Sequence, residues 1–330
     1  MLITNRRPAL ISNSPLGISI YSVTDGEPHY HEGYLELIYC FKGHARLHVL
    51  HEEIALNPGE LFSCDPLDIH YLSCSEENLF VSFFFRMDSD LFGIPDLKNT
   101  FFVCEEGLVS KENRANYRNL KLTLLTALYL FCFNKDKALH DGLFHDLAHQ
   151  VIHNLYANFH LFEYTTSFTN HSTEAKERFQ RMLVYIQKNY SEKITISQLS
   201  KMEHLNANYL SHFFKNTSYL GLSSFVNYIR VYHSELLLLT TDKNVSEVAY
   251  ESGFSDPKFY HRTFKLWYKT TPHQHKKHYR QVLEISRPDC IYAPSDLGSE
   301  LEHFIAFYFA TLQLPESSDI EYLPLRSVPF

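Results

Sequence analysis

The sequence has no cysteine pair at CxxC spacing, no apolar run long enough to cross a bilayer and no excess of positive charge. The first absence removes the usual zinc and dithiol motifs. Cys40, Cys64, Cys74, Cys104, Cys132 and Cys290 are scattered and read as reduced thiols, some of them in the core. The second removes a signal peptide and a spanning helix, because Arg6 and Arg7 near the start are followed by no long apolar stretch. A soluble cytoplasmic protein with no membrane partner is expected. The third, a net charge of −8, argues against a nucleic-acid partner for the chain taken as a whole.

The charge is unevenly spread, however. Residues 172–281 hold 16 Lys and Arg against 9 Asp and Glu, while the remainder holds 14 against 29. A basic module joined to an acidic one has this asymmetry. With 330 residues, 45% of them hydrophobic, two packed domains are expected.

The basic part is organised as two helix-turn-helix units over 194–279. In the second, Asn244 caps a short helix and Glu247, three residues on, answers the cap's own N–H. Gly253 supplies the turn, Phe254 anchors it, Asp256 caps the next helix and Pro257 takes its first position. Phe259, Tyr260, Phe264 and Trp267 form that helix's buried side, and Lys258, His261, Arg262, Lys265 and Lys269 fall largely elsewhere. The first unit repeats the plan. Thr195 and Gln198 make a capping box, Leu199 and Met202 point inward, Asn206 caps the second helix, and Tyr209, Leu210, Phe213 and Phe214 form its core side. A single long helix over 222–239 joins the units, and one over 175–190 opens the domain, with Phe179, Leu183 and Ile186 inward.

This stretch resembles the DNA-binding domain of the AraC/XylS family of transcription regulators. "ITISQLSKMEHLNANYLSHFFK" matches the first half of that domain and "VSEVAYESGFSDPKFYHRTFKLWYKTTPHQHKKHYR" the second, over roughly a hundred residues. His204, Tyr219 and Lys269 stand where the family has glycine, so each must accept a left-handed backbone or shift the chain. The resemblance implies that Asn208, Ser211 and His212 read bases from the first reading helix, and Pro257, Lys258, His261 and Arg262 from the second. Lys193, Lys215, Lys265 and Lys269 are candidates for phosphate contact, although each is also an ordinary solvated lysine.

Residues 1–105 read as all-β, with short runs at 17–23, 35–41, 45–50, 60–63 and 79–86 broken by turns at Asp25-Gly26, Lys42-Gly43 and Asn57-Pro58-Gly59. Here His29-x-His31, Glu36, Gly43, Pro58-x-x-x-Phe62 and His70 resemble the cupin motif pair. In metal-binding cupins the matching side chains hold one ion, and imidazole with carboxylate suits a divalent transition metal. Barrels of regulators in this family are often metal-free, and the chain has 20 histidines throughout. The expectation is therefore a ligand site at His29, His31, Glu36 and His70, with no metal and no cofactor. Tyr30, Tyr34, Leu37, Phe62 and Tyr71 are the expected apolar lining of a site for a sugar or other small polar metabolite.

Residues 106–164 read as a helical hairpin: helical periodicity runs over 111–163, with Leu120, Leu124, Leu128 and Phe131 on one arm and Leu143, Leu147, Val151, Leu155 and Phe159 on the other, around a polar break at 134–141. Such a hairpin covers the barrel, and what is left of the stripe could supply a dimer surface. The polar stretch 165–173 reads as a linker, 174–281 as the DNA-binding domain and 282–330 as an extension of unknown role. Its apolar helix, over 301–314 with Leu301, Phe304, Ile305 and Tyr308 on one side, should dock on the body or a partner.

The fold class expected is thus α+β multidomain, a cupin-like β-barrel with a helical hairpin followed by an all-α double helix-turn-helix domain. The function expected is a sequence-specific DNA-binding transcription regulator, a signal-responsive activator and not an enzyme. Its partners are double-stranded DNA, a second copy in a homodimer and, as candidates, RNA polymerase and a small effector. The alternative is a cupin-type metal-dependent enzyme with an accessory DNA-binding domain. No acid/base pair or nucleophile arrangement beyond the cupin motif supports that alternative, and no catalytic residue is assigned.

Overall fold

The computed structural model describes residues 2–134, 137–161, 173–218 and 220–313. The chain divides into two compact units. One is the described part of Leu161–Ile285; the other joins Asn5–His160 to the described residues from Ser286 onward. The stretch expected as a linker, 165–173, lies outside the described residues except for Thr173, as do Tyr219, Leu314, Pro315, Pro324 and Pro329.

The β-rich unit contains β1 (Thr4–Asn5), β2 (Leu16–Ser22), β3 (His29–Tyr30), β4 (Tyr34–Lys42), β5 (Ala45–Val49), β6 (Glu52–Leu56), β7 (Leu61–Cys64), β8 (His70–Ser73), β9 (Leu79–Arg86) and β10 (Cys290–Tyr292). They form two five-stranded sheets, ordered β1-β3-β8-β5-β6 and β10-β2-β9-β4-β7. The paired strands are antiparallel. Strands β4 and β9 are buried on both faces. Leu35, Leu37, Tyr39 and Phe41 pack with Val81, Phe83 and Phe85 in the core shared with the helices. Ile38, Cys40 and Phe80 alternate with them and join a second core with Leu47, Ile54 and Phe62. A strand covered on both faces shows no apolar/polar alternation, so its pattern does not reveal which face looks where.

After β9 come α1 (Ser89–Phe92), α2 (Arg114–Phe133) and α3 (Lys137–Asn158). The hairpin is present, but its stripe is not a dimer surface. Leu120, Leu124, Leu128, Val151 and Leu155 are at most 2% exposed within one chain, and Leu147 is half-buried. Sheet residues such as Phe83 and Phe85 share that core, so the apolar area of the stripe is already removed from water in the monomer.

The last described helix, α11 (Pro294–Gln313), is interrupted at Gly298, where φ is 48°. Leu301, Ile305 and Tyr308 enter the same core. Tyr308 meets the rings of Tyr39 and Phe41 edge-on and donates its hydroxyl to the Phe41 carbonyl at 3.0 Å. The C-terminal helix therefore docks on the barrel unit of its own chain.

The helical unit runs α4 (Thr173–Asn189), α5 (Ile196–Met202), α6 (Ala207–Ser218), α7 (Leu222–Thr240), α8 (Val245–Glu251), α9 (Pro257–Tyr268) and α10 (Pro272–Ile285). Both capping boxes form, Thr195 with Gln198 and Asn244 with Glu247. Phe179, Phe214 and Phe225 pack together in tilted and edge-on contacts, and Val248, Phe254, Tyr260 and Phe264 are buried around the second unit. Tyr209, expected in the core, is instead 52% exposed. The inward face of α6 is taken by Leu210, Phe213, Phe214 and Thr217, which leaves Tyr209 on the flank beside Phe213.

Candidate nucleic-acid interface and barrel cavity

Helices α6 and α9 each start on a side-chain cap. Asn206 accepts the N–H of Asn208 at 2.8 Å, and Asp256 accepts that of Lys258 at 2.9 Å. On α6 the cap and core face leave Asn208, Ser211, His212 and Lys215 exposed. On α9 they leave Lys258, Arg262 and Lys265 exposed, with Pro257 and His261 half-buried. The Arg262 guanidinium lies 5.2 Å from the centre of the Phe259 ring, one turn earlier on the helix, a cation–π contact along the helix surface. Lys193 and Lys269 are exposed, and Lys269 donates to the Leu266 carbonyl.

The connector α7 holds the two halves by different chemistry. His233 stacks on Tyr190 with ring centres 3.9 Å apart. Burial pushes its imidazole pKa down to about 4, so it is neutral near pH 7. Glu235 turns to the other half. It accepts a hydrogen bond from His275 at 2.7 Å and from the Tyr268 hydroxyl at 2.8 Å, all three side chains being buried. Two-sided anchoring of one helix fixes α6 and α9 to a common frame.

The barrel encloses a cavity of about 490 Å³ at whose polar end His29, His31, Glu36 and His70 converge. Their ligand atoms all lie within 4.8 Å of one another. Each imidazole is oriented from behind: His29 Nδ1 donates to the Glu27 carbonyl (2.7 Å), His31 Nδ1 to that of Arg6 (2.5 Å) and His70 Nδ1 to that of Asp68 (2.9 Å). This places Nδ1–H outward and Nε2 inward on every ring, the second layer of contacts that metal-holding histidines use. His70 Nε2 lies 2.8 Å from Glu36 Oε2. His31 Nε2 is 3.1 Å from the same oxygen but off the line of a hydrogen bond, and is buried with no other partner.

Burial by itself would raise the Glu36 carboxyl, but the His31 and His70 imidazoles outweigh it and hold the group well below the usual carboxylate range. Burial would lower His70, and the Glu36 charge outweighs it, so its imidazole is raised. Burial, with His70 and Arg6 nearby, drives His29 well below its ordinary value. Three inward ring nitrogens, one ionised carboxylate and an unsatisfied buried Nε2 fit a divalent transition metal, with His29, His31, Glu36 and His70 as its ligands.

The four sequence-predicted ligand residues are thus brought together. Of the expected apolar lining only Tyr71 reaches the cavity; its walls include Ile18, Ile20, Ile38 and Phe84. Leu37 points the opposite way, into the core shared with the helices, because it neighbours Ile38 on a two-faced strand. Phe62 belongs to the second core. Sequence reasoning also missed Arg6, Asp289 and Tyr292, which line the cavity from the two ends of the chain.

Comparison with known proteins agrees with this arrangement. The model of the helix-turn-helix domain family matches residues 199–278, and that of the cupin domain family matches residues 22–83. An uncharacterized HTH-type transcriptional regulator of Staphylococcus aureus (strain MRSA252) is 22% identical over 275 residues, 81% of this chain and 36% of that protein. The chain therefore spans about a third of the length of the curated relatives it first matches. An uncharacterized HTH-type transcriptional regulator of Escherichia coli (strain K12) is 28% identical over 112 residues, 34% of this chain and 40% of that one. Among solved structures, the C-terminal domain of the two-component response regulator yesN from Fusobacterium nucleatum is 32% identical, covering 32% of this chain and 99% of its own at a TM-score of 0.28. Wild-type ToxT of Vibrio cholerae bound to unsaturated fatty acid is 12% identical and covers 82% of this chain and 97% of its own, at a TM-score of 0.40. With a cupin domain matched over 22–83 and a helix-turn-helix domain matched over 199–278, the chain carries the pair of domains that its resemblance to the AraC-type transcription regulators implies.

Proposed function

We propose that this protein is a sequence-specific DNA-binding transcription regulator whose barrel cavity takes a small effector. The observation that carries the reading is the pair of capped helices, α6 and α9, each burying one face and leaving a polar, basic row exposed on the other. Asn208, Ser211, His212, Lys258 and Arg262 supply base contacts, with Pro257 and His261 at the edge of the second row, and Lys215 and Lys265 supply phosphate contacts. Helices joined by one connector enter successive major grooves, about 10 base pairs apart. Recovery of bound genomic DNA followed by footprinting tests this. Protection of two grooves per monomer is expected, and protection of one removes the tandem reading.

The same proposal includes a cytoplasmic activator that works with RNA polymerase and binds paired sites as a homodimer. Among the described residues no helix is long and apolar enough to cross a membrane. With the hairpin stripe consumed in the core, a homodimer must use another surface. Sedimentation at micromolar concentration tests it, and a monomer that still fills paired sites one at a time would end it.

A second reading, a metal-dependent cupin enzyme, is favoured by one observation, the unsatisfied His31 Nε2 within the histidine cluster. A bound metal would supply a Lewis acid at the cavity's polar end. Metal titration together with turnover screening separates the two readings, since a regulator binds DNA and turns over nothing.

A further inference from the structure

The chain leaves the barrel unit to build the helical unit and then returns. Helix α10 ends at Ile285, and by Arg287 the backbone is paired with the barrel: the Arg287 N–H donates to the Asp25 carbonyl at 2.8 Å. Strand β10 then adds to the edge of β2, with Cys290 opposite Ser22, Ile291 opposite Tyr21 and Tyr292 opposite Ile20. Beyond it α11 is fixed in the core through Leu301, Ile305 and Tyr308. A three-residue edge strand between two fixed elements is the weakest link of that path.

This strand also walls the cavity. Asp289 and Tyr292 line it, and Tyr292 meets the Ser22 hydroxyl at 2.9 Å. A continuous chain of bonds runs from the histidine cluster to the strand. His31 Nδ1 donates to the Arg6 carbonyl, and the Arg6 guanidinium donates to Asp289 at 3.0 Å and to Glu27 at 2.7 Å. Any ligand engaging the unsatisfied His31 Nε2 therefore pulls on a ring whose other nitrogen holds the backbone of the residue that latches Asp289.

We propose that Arg287–Tyr292 is a strap through which the histidine cluster of the cavity acts on the DNA-binding unit, with Arg6 and Asp289 as its latch and Asp289 and Tyr292 as cavity-wall residues that read the ligand. The output half of this proposal rests on the DNA-binding reading above. A ligand can work through the strap only by favouring one of its pairing states over the other. One residue, Ser286, separates the paired Arg287 from the end of α10, so the strap is directly continuous in sequence with the DNA-binding unit.

Two experiments on the full chain test this. The first is hydrogen exchange of His31→Gln, which cuts the bond to Arg6. The amides of Cys290–Tyr292 should exchange faster while those of β9 stay unchanged, which also shows that the barrel is folded. Unchanged exchange in β10 overturns the link between cavity and strap. The second uses Ser22→Cys, which faces native Cys290 across an antiparallel pair, a spacing a disulfide can bridge. Cys40, Cys64, Cys74 and Cys104 are buried and Cys132 is half-buried against the core, so mild oxidation favours the new pair, and the reduced form is its own folding control. Oxidation should change affinity for the recovered DNA at least about fivefold and slow amide exchange in α10. Identical affinity and identical α10 exchange in the two forms overturns the proposal. If the unaltered protein binds no specific DNA, the transcription reading fails and α10 exchange alone decides the strap.

Discussion

The two helix-turn-helix units use one turn with different residues. After α5, the Leu205 N–H returns to the Ser200 carbonyl at 3.0 Å, and after α8, the Phe254 N–H returns to that of Ala249 at 2.9 Å. Both turns place one residue in the left-handed region, His204 at φ 54° and Gly253 at φ 85°. This six-to-one closure satisfies the last free carbonyls of a helix. The surroundings differ. A Cβ on Gly253 would lie 2.6 Å from the Ser191 carbonyl oxygen, so backbone packs directly against that turn. His204 is exposed, and its unit is held from the side by the bidentate pair of Arg181 with Glu203. Glycine is thus required in one copy by close approach and in the other is only a convenience. His204 and Lys269 both accept the left-handed backbone rather than shifting the chain.

The largest effect should come from breaking the glycine turn. Gly253→Ala meets both the φ cost and the Ser191 backbone, and should destabilise the helical unit by on the order of 3 kcal/mol or more, read from urea unfolding. A loss below about 1 kcal/mol would show that Ser191 moves aside.

Next in size is a pH effect on the first half. The folded His233 has its pKa pushed down to about 4, below the ordinary unfolded value near 6.5, so the unfolded chain binds the proton first as pH falls. Stability should therefore fall between about pH 6.5 and pH 4, by up to about 3 kcal/mol at the acid end. Urea midpoints across that range should flatten in His233→Phe. An equal slope in both proteins would assign the acid loss elsewhere.

DNA contacts should show the two copies as unequal. Arg262→Ala should cost about 1–3 kcal/mol of specific binding and much less of non-specific binding, because a guanidinium can pair with guanine N7 and O6 together. His212→Ala, at the matching end of α6, should cost less. Equal losses of specific and non-specific affinity would reduce Arg262 to a phosphate contact.

The smallest effect should come from His204→Gly. Relief of the left-handed backbone, about 1–2 kcal/mol, is offset by the extra freedom of glycine in the unfolded chain, about 0.5–1 kcal/mol. Stability should hold or rise by about 1 kcal/mol or less in calorimetry. A clear loss would mean that the His204 side chain makes a contact the unit needs.

The helical unit was legible because its signals are local. Thr195 with Gln198, Asn244 with Glu247, and Asp256 before Pro257 each lie within four residues of chain, and each forms the cap its spelling implies. The histidine cluster was legible as a set because its members recur at a recognisable spacing. Strands β6 and β8 were not, since Glu52–Leu56 and His70–Ser73 are short, and β6 depends on β5 and β8 on β3 and β5 for pairing.

What the residues dictated without help from the fold is therefore the pair of capped helices α6 and α9, the connector between them and the identity of the four cluster residues. Long-range pairing settled the rest. Whether Leu37 or Ile38 faced the cavity depended on which sheet face the hairpin covered, because β4 is apolar on both. Whether the hairpin stripe was interface or core depended on how much of it Phe83 and Phe85 reached. The return of the C-terminal segment to β2 joins residues 268 apart, Ser22 and Cys290, through backbone hydrogen bonds that no periodicity in either strand encodes.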